Sequence, residues 1–374
     1  MNIYVIFTID NNLILYIIKY YILNYKERVM IEELKINNFR SIKSLKIDKF
    51  KNINIFLGKA NTGKTSILEA IYIILSMDSR AIIRITNLRS IGLYNDIFDS
   101  LFYDYNTNVS IKFDIKVDNE LVELEIKPNI VNSTISFSEK NITDNNIETI
   151  NNIYNLNFNY LKNGKNYTPN ISIEKNNNEM KFLFNISVSA FFYRVELIAD
   201  YSSSLYKNLK IIFENNAKKE ELKKYYQQFD NRIKDIRFIE NKIVVEIEGL
   251  HNAINIKAVG KGFQTYITII ASIVVGNKYI LIDEIENGIH FETMKILLKN
   301  IIDLSKEYNL QFFITTHSKE FIQTLNDIIE KDYSRSNIIS VFNLYCNKEN
   351  NIDVIDYSQE NFNNLIRNDN EIRD

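Results

Sequence analysis

Between Ile31 and Leu57, three short segments place apolar side chains at strand-like spacing. They are Ile31–Ile36, with Leu34 and Ile36 two apart, Ser44–Ile47, and Ile53–Leu57, which alternates before an apolar end. From Lys64 the period changes, and Ile67, Leu68, Ile71, Tyr72 and Leu75 fall on one face of a helix. Strict alternation then returns at Val109, Ile111, Phe113, Ile115 and Val117, at Val122, Leu124 and Ile126, and at Phe182, Phe184, Ile186 and Val188. Half-buried antiparallel strands have this period. Asn-rich stretches at 145–146, 151–152 and 176–178 separate them, with the composition of long loops. Residues 206–236, rich in Lys, Glu and Gln, read as one or two exposed helices. Further on, Tyr279–Ile282 is a short apolar run, a helical stretch lies near Phe291–Leu304, and Gln311–Thr315 is strand-like again. No internal repeat and no extended heptad run is found.

The start of the chain has a different character. Its apolar runs are Ile3–Phe7 and Leu13–Leu23, the latter interrupted by Lys19 and well short of the roughly 20 residues that span a bilayer. No basic segment precedes them and no small-residue cleavage site follows, so a secretory signal is not indicated, and a membrane anchor is the less favoured reading. Lys26-Glu27-Arg28-Val29 can be encoded by a purine-rich stretch like a ribosome-binding site ahead of Met30. The expectation is that residues 1–29 are a non-native or mis-annotated extension and that translation starts at Met30.

Composition narrows the class. The 374 residues, 45% hydrophobic and 25% charged, fit a globular chain of roughly two domains. A formal charge of -2 and a pI near 6.1 exclude a bulk electrostatic grip on nucleic acid or an anionic membrane. A single cysteine, Cys346, excludes an internal disulfide framework and any multi-cysteine metal site, and fits a cytoplasmic setting. The bias toward Asn, Ile, Lys and Tyr matches A/T-rich codons and says nothing about function.

The chemistry lies at the ends of the predicted strands. Gly58-Lys59-Ala60-Asn61-Thr62-Gly63-Lys64-Thr65 fits GxxxxGK[ST] at every fixed position, between a strand and a helix. Glycines let successive N–H groups turn inward around phosphates, and the helix N-terminus, from Lys64 through Ser66, adds its positive end. Lys64 would reach the β- and γ-phosphates and the Thr65 hydroxyl would ligate Mg2+. Asp283 and Glu284 close the apolar run 279–282, as at a buried parallel strand that opens into a site. Asp283 would hold the magnesium and Glu284 would orient or deprotonate water. The strand–helix–strand order from Tyr279 to Thr315 implies a right-handed parallel crossover. His317 would then lie at the same sheet edge as Asp283 and Lys64.

These residues resemble ABC-type ATPases of the SMC-like class, and look closest to the small stand-alone AAA/OLD-like (overcoming lysogenisation defect) ATPases. The resemblance covers Met30 to about Tyr105 and about Ile233 to Leu325. Its marks are LKINNFRS at 34–41, the phosphate loop, DSLFYDYN at 99–106, VGKGFQ at 259–264, ILIDEIENGIH at 280–290 and TTHS at 315–318. It implies an α/β P-loop NTPase of the ABC-type head with an inserted β-rich and helical subdomain. The expected division is 30–105 and 241–349 as the two ATPase lobes, 106–240 as the insertion and 350–374 as a tail.

The resemblance further implies that Gly260, Lys261 and Gly262, in a variant signature segment, contact the γ-phosphate bound by a second copy. Glu286–His290 resembles the loop at the dimer seam, and His317 the switch histidine. A glutamine matching the family's usual coupling residue is not found after the first lobe. The implied cofactors are ATP and Mg2+, and the implied assembly is a homodimer closed around ATP. The favoured role is control of a separately encoded effector, such as a nuclease, in phage defence, with no membrane partner. Only about 50 residues follow Leu325, too few for an appended nuclease domain. Two alternatives stand beside this role: a RecF/SMC-like ATPase that clamps DNA, and a non-hydrolysing nucleotide sensor or scaffold.

Overall fold

The structure, a computed structural model, describes residues 3–6, 30–89, 98–134, 150–175, 180–185, 193–199 and 201–357. The apolar runs form a six-stranded sheet in the order Val195–Ile198, Tyr279–Ile282, Gln311–Thr315, Ile53–Gly58, Ile339–Cys346 and Ile352–Tyr357. The first five run parallel and the last is antiparallel to its neighbour. Every residue of the strands Ile53–Gly58, Tyr279–Ile282 and Gln311–Thr315 is buried. This is why they read as continuous apolar runs, since a parallel sheet is covered on both faces.

The two faces sort alternate side chains into two cores. Phe56, Leu281, Phe313 and Phe342 pack with the helix Lys64–Ser76 on one side. Ile55, Leu57, Ile280, Ile282, Phe312 and Ile314 pack on the other, against the helices Lys261–Val275, Phe291–Glu307 and Lys319–Lys331.

The alternating strands build a second, nine-stranded sheet, antiparallel in all its pairings but one. It includes Ile31–Phe39 and Ile42–Asp48 as well as Ile111–Val117, Glu120–Thr134 and Ile150–Lys162. Its inner face shares the first core with the helix Lys64–Ser76, and the buried Tyr160 hydroxyl donates to Ile73 O at 3.1 Å. Gln311, fully buried, ties the two sheets together. Its Oε1 accepts from Ile31 N at 2.8 Å, and its Nε2 donates to Ile31 O at 2.9 Å and to Lys51 O at 3.0 Å. Ile3–Ile6 pairs in parallel with Met180–Leu183, whereas the Leu13–Leu23 run lies outside the described residues, as do Ile186 and Val188. Val109 precedes its strand and is half exposed.

Two features of the middle segment differ from the sequence reading. Val195–Ile198, within 106–240, joins the six-stranded sheet beside Tyr279–Ile282. Arg84 fastens it there, its Nη2 donating at 2.8 Å both to the buried Glu196 carboxylate and to Leu197 O. The polar helices are Tyr201–Phe213 and Asn216–Phe229, and they are not exposed all round. Leu205, Leu209 and Ile212 recur at helical spacing and, with Leu222 and Tyr226, pack against the helix Lys261–Val275. Lys218 Nζ reaches that helix's C-terminal carbonyl, Val275 O, at 2.8 Å.

Candidate functional site

Parallel register brings the C-terminal ends of three strands to one edge: Gly58, Ile282 and Thr315. Here the chain leaves each strand for a polar loop, as open α/β sheets do where ligands bind. The loop after Gly58 is tightly wound. Gly58 has φ +135°, and a Cβ there would sit 2.4 Å from Leu344 O, so only glycine fits. Asn61 and Gly63 also take positive φ, at 64° and 83°, and Thr62 Oγ1 donates to Lys59 O at 2.9 Å. Gly63 caps the helix that begins at Lys64, with no side-chain cap, so the first turn's N–H groups are left for a ligand.

Lys64 Nζ folds back over the loop, donating to Gly58 O and Lys59 O, each at 2.6 Å. Burial holds its ammonium below the usual lysine range, and the charges of Asp283, Glu284 and Glu286 oppose that shift. A desolvated cation beside a cradle of backbone donors fits a polyphosphate.

Thr65 Oγ1 lies 3.1 Å from both carboxylate oxygens of Asp283. A hydroxyl and a carboxylate in contact at a phosphate loop are the hard oxygen donors that magnesium takes. Thr315, assigned no role from the sequence beyond ending a strand and opening the TTHS run, donates its hydroxyl to Asp283 Oδ1 at 2.6 Å and accepts from Glu284 N at 2.8 Å. Glu284 takes φ 50° and its side chain is exposed at the mouth of the site. His317 stands 62% exposed, and both its backbone N, at 2.9 Å, and its Nδ1, at 3.0 Å, contact Glu286 Oε1.

Ser66 is buried, and its hydroxyl faces Arg89 Nη2 at 3.4 Å. Arg89 belongs to a cluster the sequence did not announce. The buried Glu69 accepts from Arg89 Nε at 2.6 Å and from Arg40 Nε at 3.3 Å, one turn into the helix behind the phosphate loop. Arg40 Nη1 also donates to Ser100 O at 3.0 Å. An arginine inside the LKINNFRS run was visible, but its partner Glu69 was not.

Lys261 and Gly262 meet the turn after Glu284. Gly260 caps the helix Lys261–Val275, and it and Lys261 are exposed. Lys261 Nζ donates to Asn287 Oδ1 at 2.7 Å, and Thr265 Oγ1 to Asn287 O at 3.2 Å. A Cβ on Gly262 would lie 2.9 Å from Gly288 O, whereas one on Gly260 would meet nothing within 4 Å. Thus Lys64, Thr65, Asp283, Glu284 and His317 gather at one edge, and the glycine segment packs beside the turn that follows them.

Residues 53–323 match the family model described as "AAA domain, putative AbiEii toxin, Type IV TA system". An ATP/GTP phosphatase of Helicobacter pylori is 31% identical, over 87% of this chain and 94% of its own length. Among solved structures, an Smc head bound to the C-terminal winged-helix domain of ScpA matches with TM-score 0.53 at 14% identity, covering 88% of this chain and 98% of that one. An Smc head with an extended coiled coil, bound to the C-terminal domain of ScpA from Pyrococcus furiosus, matches with TM-score 0.51 at 13% identity, covering 91% and 99%. The shared architecture is that of the ABC-type P-loop ATPase head.

Proposed function

We propose that this protein, which belongs to the AAA-domain family whose model it matches over residues 53–323, binds and hydrolyses ATP as the fuel of a closing dimer. The observation that carries the proposal is the contact of Thr65 with Asp283 across 218 residues of chain, directly beside the phosphate loop. In this reading the loop Gly58–Thr65 and Ser66 enclose the phosphates through backbone N–H groups, and Lys64 leaves its carbonyl partners for the β- and γ-phosphates. Thr65 and Asp283 would hold magnesium, which supplies positive charge against the phosphate oxygens. Glu284, exposed at the mouth, orients the attacking water and accepts its proton. His317 meets the terminal phosphate from the neighbouring strand.

Gly260 and Lys261 are exposed at a helix N-terminus, with Gly262 half-buried beside them, and the segment would approach the nucleotide of a second copy. ATP then shifts the monomer–dimer equilibrium through contacts that exist only in the closed pair. The biological role proposed is control of a separately encoded effector protein. The tie of the matched family to type IV toxin–antitoxin systems supports a protein partner, as does the ScpA domain bound to the Smc head. The helices at 201–213 and 216–229, each about 20 Å long, lie back on the head instead of projecting as a long arm. That packing favours a partner-regulating head over a DNA-encircling one. No helix among the described residues is long and apolar enough to cross a membrane.

The test is the solution mass of the Glu284→Gln protein by light scattering on a sizing column, with and without Mg-ATP. A shift from monomer to dimer on adding ATP supports the reading. Tight ATP binding with an unchanged mass would remove the dimer from it.

A further inference from the structure

We propose that Glu286, outside both the phosphate loop and the Asp283–Glu284 pair, is the positioning residue for His317. It fixes the imidazole so that Nδ1 carries a proton toward the carboxylate and Nε2 is the ring atom left for the nucleotide. The inference rests on the ATPase reading of the same site and adds a residue to it.

The geometry is directional. Glu286 Oε1 accepts from the His317 backbone N at 2.9 Å and lies 3.0 Å from Nδ1. A carboxylate only accepts, so the nitrogen facing it is the one that bears hydrogen. Of the two residues, the glutamate is the anchored one. It is 16% exposed and follows the fully buried Ile285, whose N–H donates to Thr315 O at 3.2 Å. The turn closes around it, with Asn287 N on Glu284 O at 2.9 Å and Ile289 N on Glu286 O at 3.0 Å. The histidine ring, 62% exposed, has no comparable packing to hold it.

Glu286 also reaches inward. Its Oε2 is buried and without a hydrogen-bond donor among the described residues, and its charge acts on the Lys64 ammonium. A buried, half-satisfied carboxylate is costly, and the groups its charge acts on here are the phosphate-loop lysine and the imidazole. If the contact served only to tie two loops, the backbone bond from His317 N would suffice. The 3.0 Å approach of Nδ1 to the same oxygen is the contact that orients the ring.

The experiment has two readouts on the full chain. The first needs no nucleotide: the imidazole 15N signals of 15N-histidine protein, assigned by His317→Ala, since the chain has only 3 histidines. Wild type should show an Nδ1-protonated His317 and Glu286→Ala should lose that signature. Glu286→Gln, whose amide oxygen can still accept, should largely retain it. The second is ATP turnover in a double-mutant cycle. Glu286→Ala should lower kcat by about tenfold or more while ATP affinity stays within about threefold. In the His317→Ala background the same change should alter kcat by less than about twofold. An unchanged His317 tautomer in Glu286→Ala, or an equal loss of kcat with and without His317, would overturn the proposal. A wild-type protein without ATP turnover would defeat the ATPase reading and leave the tautomer readout to decide this one.

Discussion

Thr315 donates its hydroxyl proton to Asp283 Oδ1 at 2.6 Å, and its own Oγ1 accepts from Glu284 N at 2.8 Å. One side chain on the neighbouring strand therefore sets the aim of one acid and the backbone of the next. Outer partners of this kind commonly matter by tenfold or more because they fix the geometry of the groups that touch the ligand. Thr315→Val keeps the shape and removes both bonds. The expected result is a fall in kcat of about 10- to 100-fold with a folded protein, read from steady-state phosphate release beside a circular-dichroism melt.

Two glycines separate folding from assembly. Gly58→Ala forces a side chain into φ +135° and against Leu344 O, so it should cost about 3 kcal/mol or more and lower the melting temperature by several degrees. Gly260→Glu meets open space within its own chain and should melt within about 1 °C of wild type. Placed in the Glu284→Gln background, it should nevertheless abolish the ATP-dependent mass shift, because a carboxylate would face the partner's phosphates. A retained mass shift would show that the segment does not act across the dimer.

Gln311→Leu should be among the more damaging core changes. It leaves Ile31 N, Ile31 O and Lys51 O without their buried partner, at an expected cost of about 2–4 kcal/mol. Chemical denaturation would show a lower midpoint. A neutral result would mean that water or a local shift replaces the amide.

Asp114→Asn should stabilise the protein at neutral pH. Burial raises the Asp114 carboxyl above its ordinary range, and Lys35 and Lys112 only partly offset it. The folded state thus binds this proton more tightly than the unfolded chain does. Its contribution to stability falls as pH rises from the unfolded value, near 3.9, through the higher folded one, and the penalty is complete at pH 7. The amide has no such penalty, so the melting temperature should rise by about 1–2 °C at pH 7, with the gain gone near pH 3. A gain independent of pH would point to another cause.

Much of the head was legible because its signals are local. The run Gly58–Thr65 encodes its own loop, since the glycines permit the turns and the apolar strand and helix on either side fix its ends. The continuous runs at 279–282 and 311–315 announce strands buried on both faces, and acids or a histidine at their ends mark the edge that opens to ligand. The helices at 201–213 and 216–229 were harder to place. A lysine-rich sequence hides the stripe of Leu205, Leu209 and Ile212 that the helix Lys261–Val275 covers.

The phosphate loop, the strand ends carrying Asp283, Glu284 and His317, and the period of each element could be read along the chain, because each depends on residues close to one another in it. Which side chains meet depends on how distant segments pack. Thr65 and Asp283 are 218 residues apart, Gln311 and Ile31 280, Thr315 and Asp283 32, and His317 and Glu286 31. Hydrophobic period tells which face of a strand is buried, but not which strand lies beside it or in what register. Strand order set Gln311–Thr315 between Ile53–Gly58 and Tyr279–Ile282, and that placement gave Asp283 its threonine and His317 its glutamate.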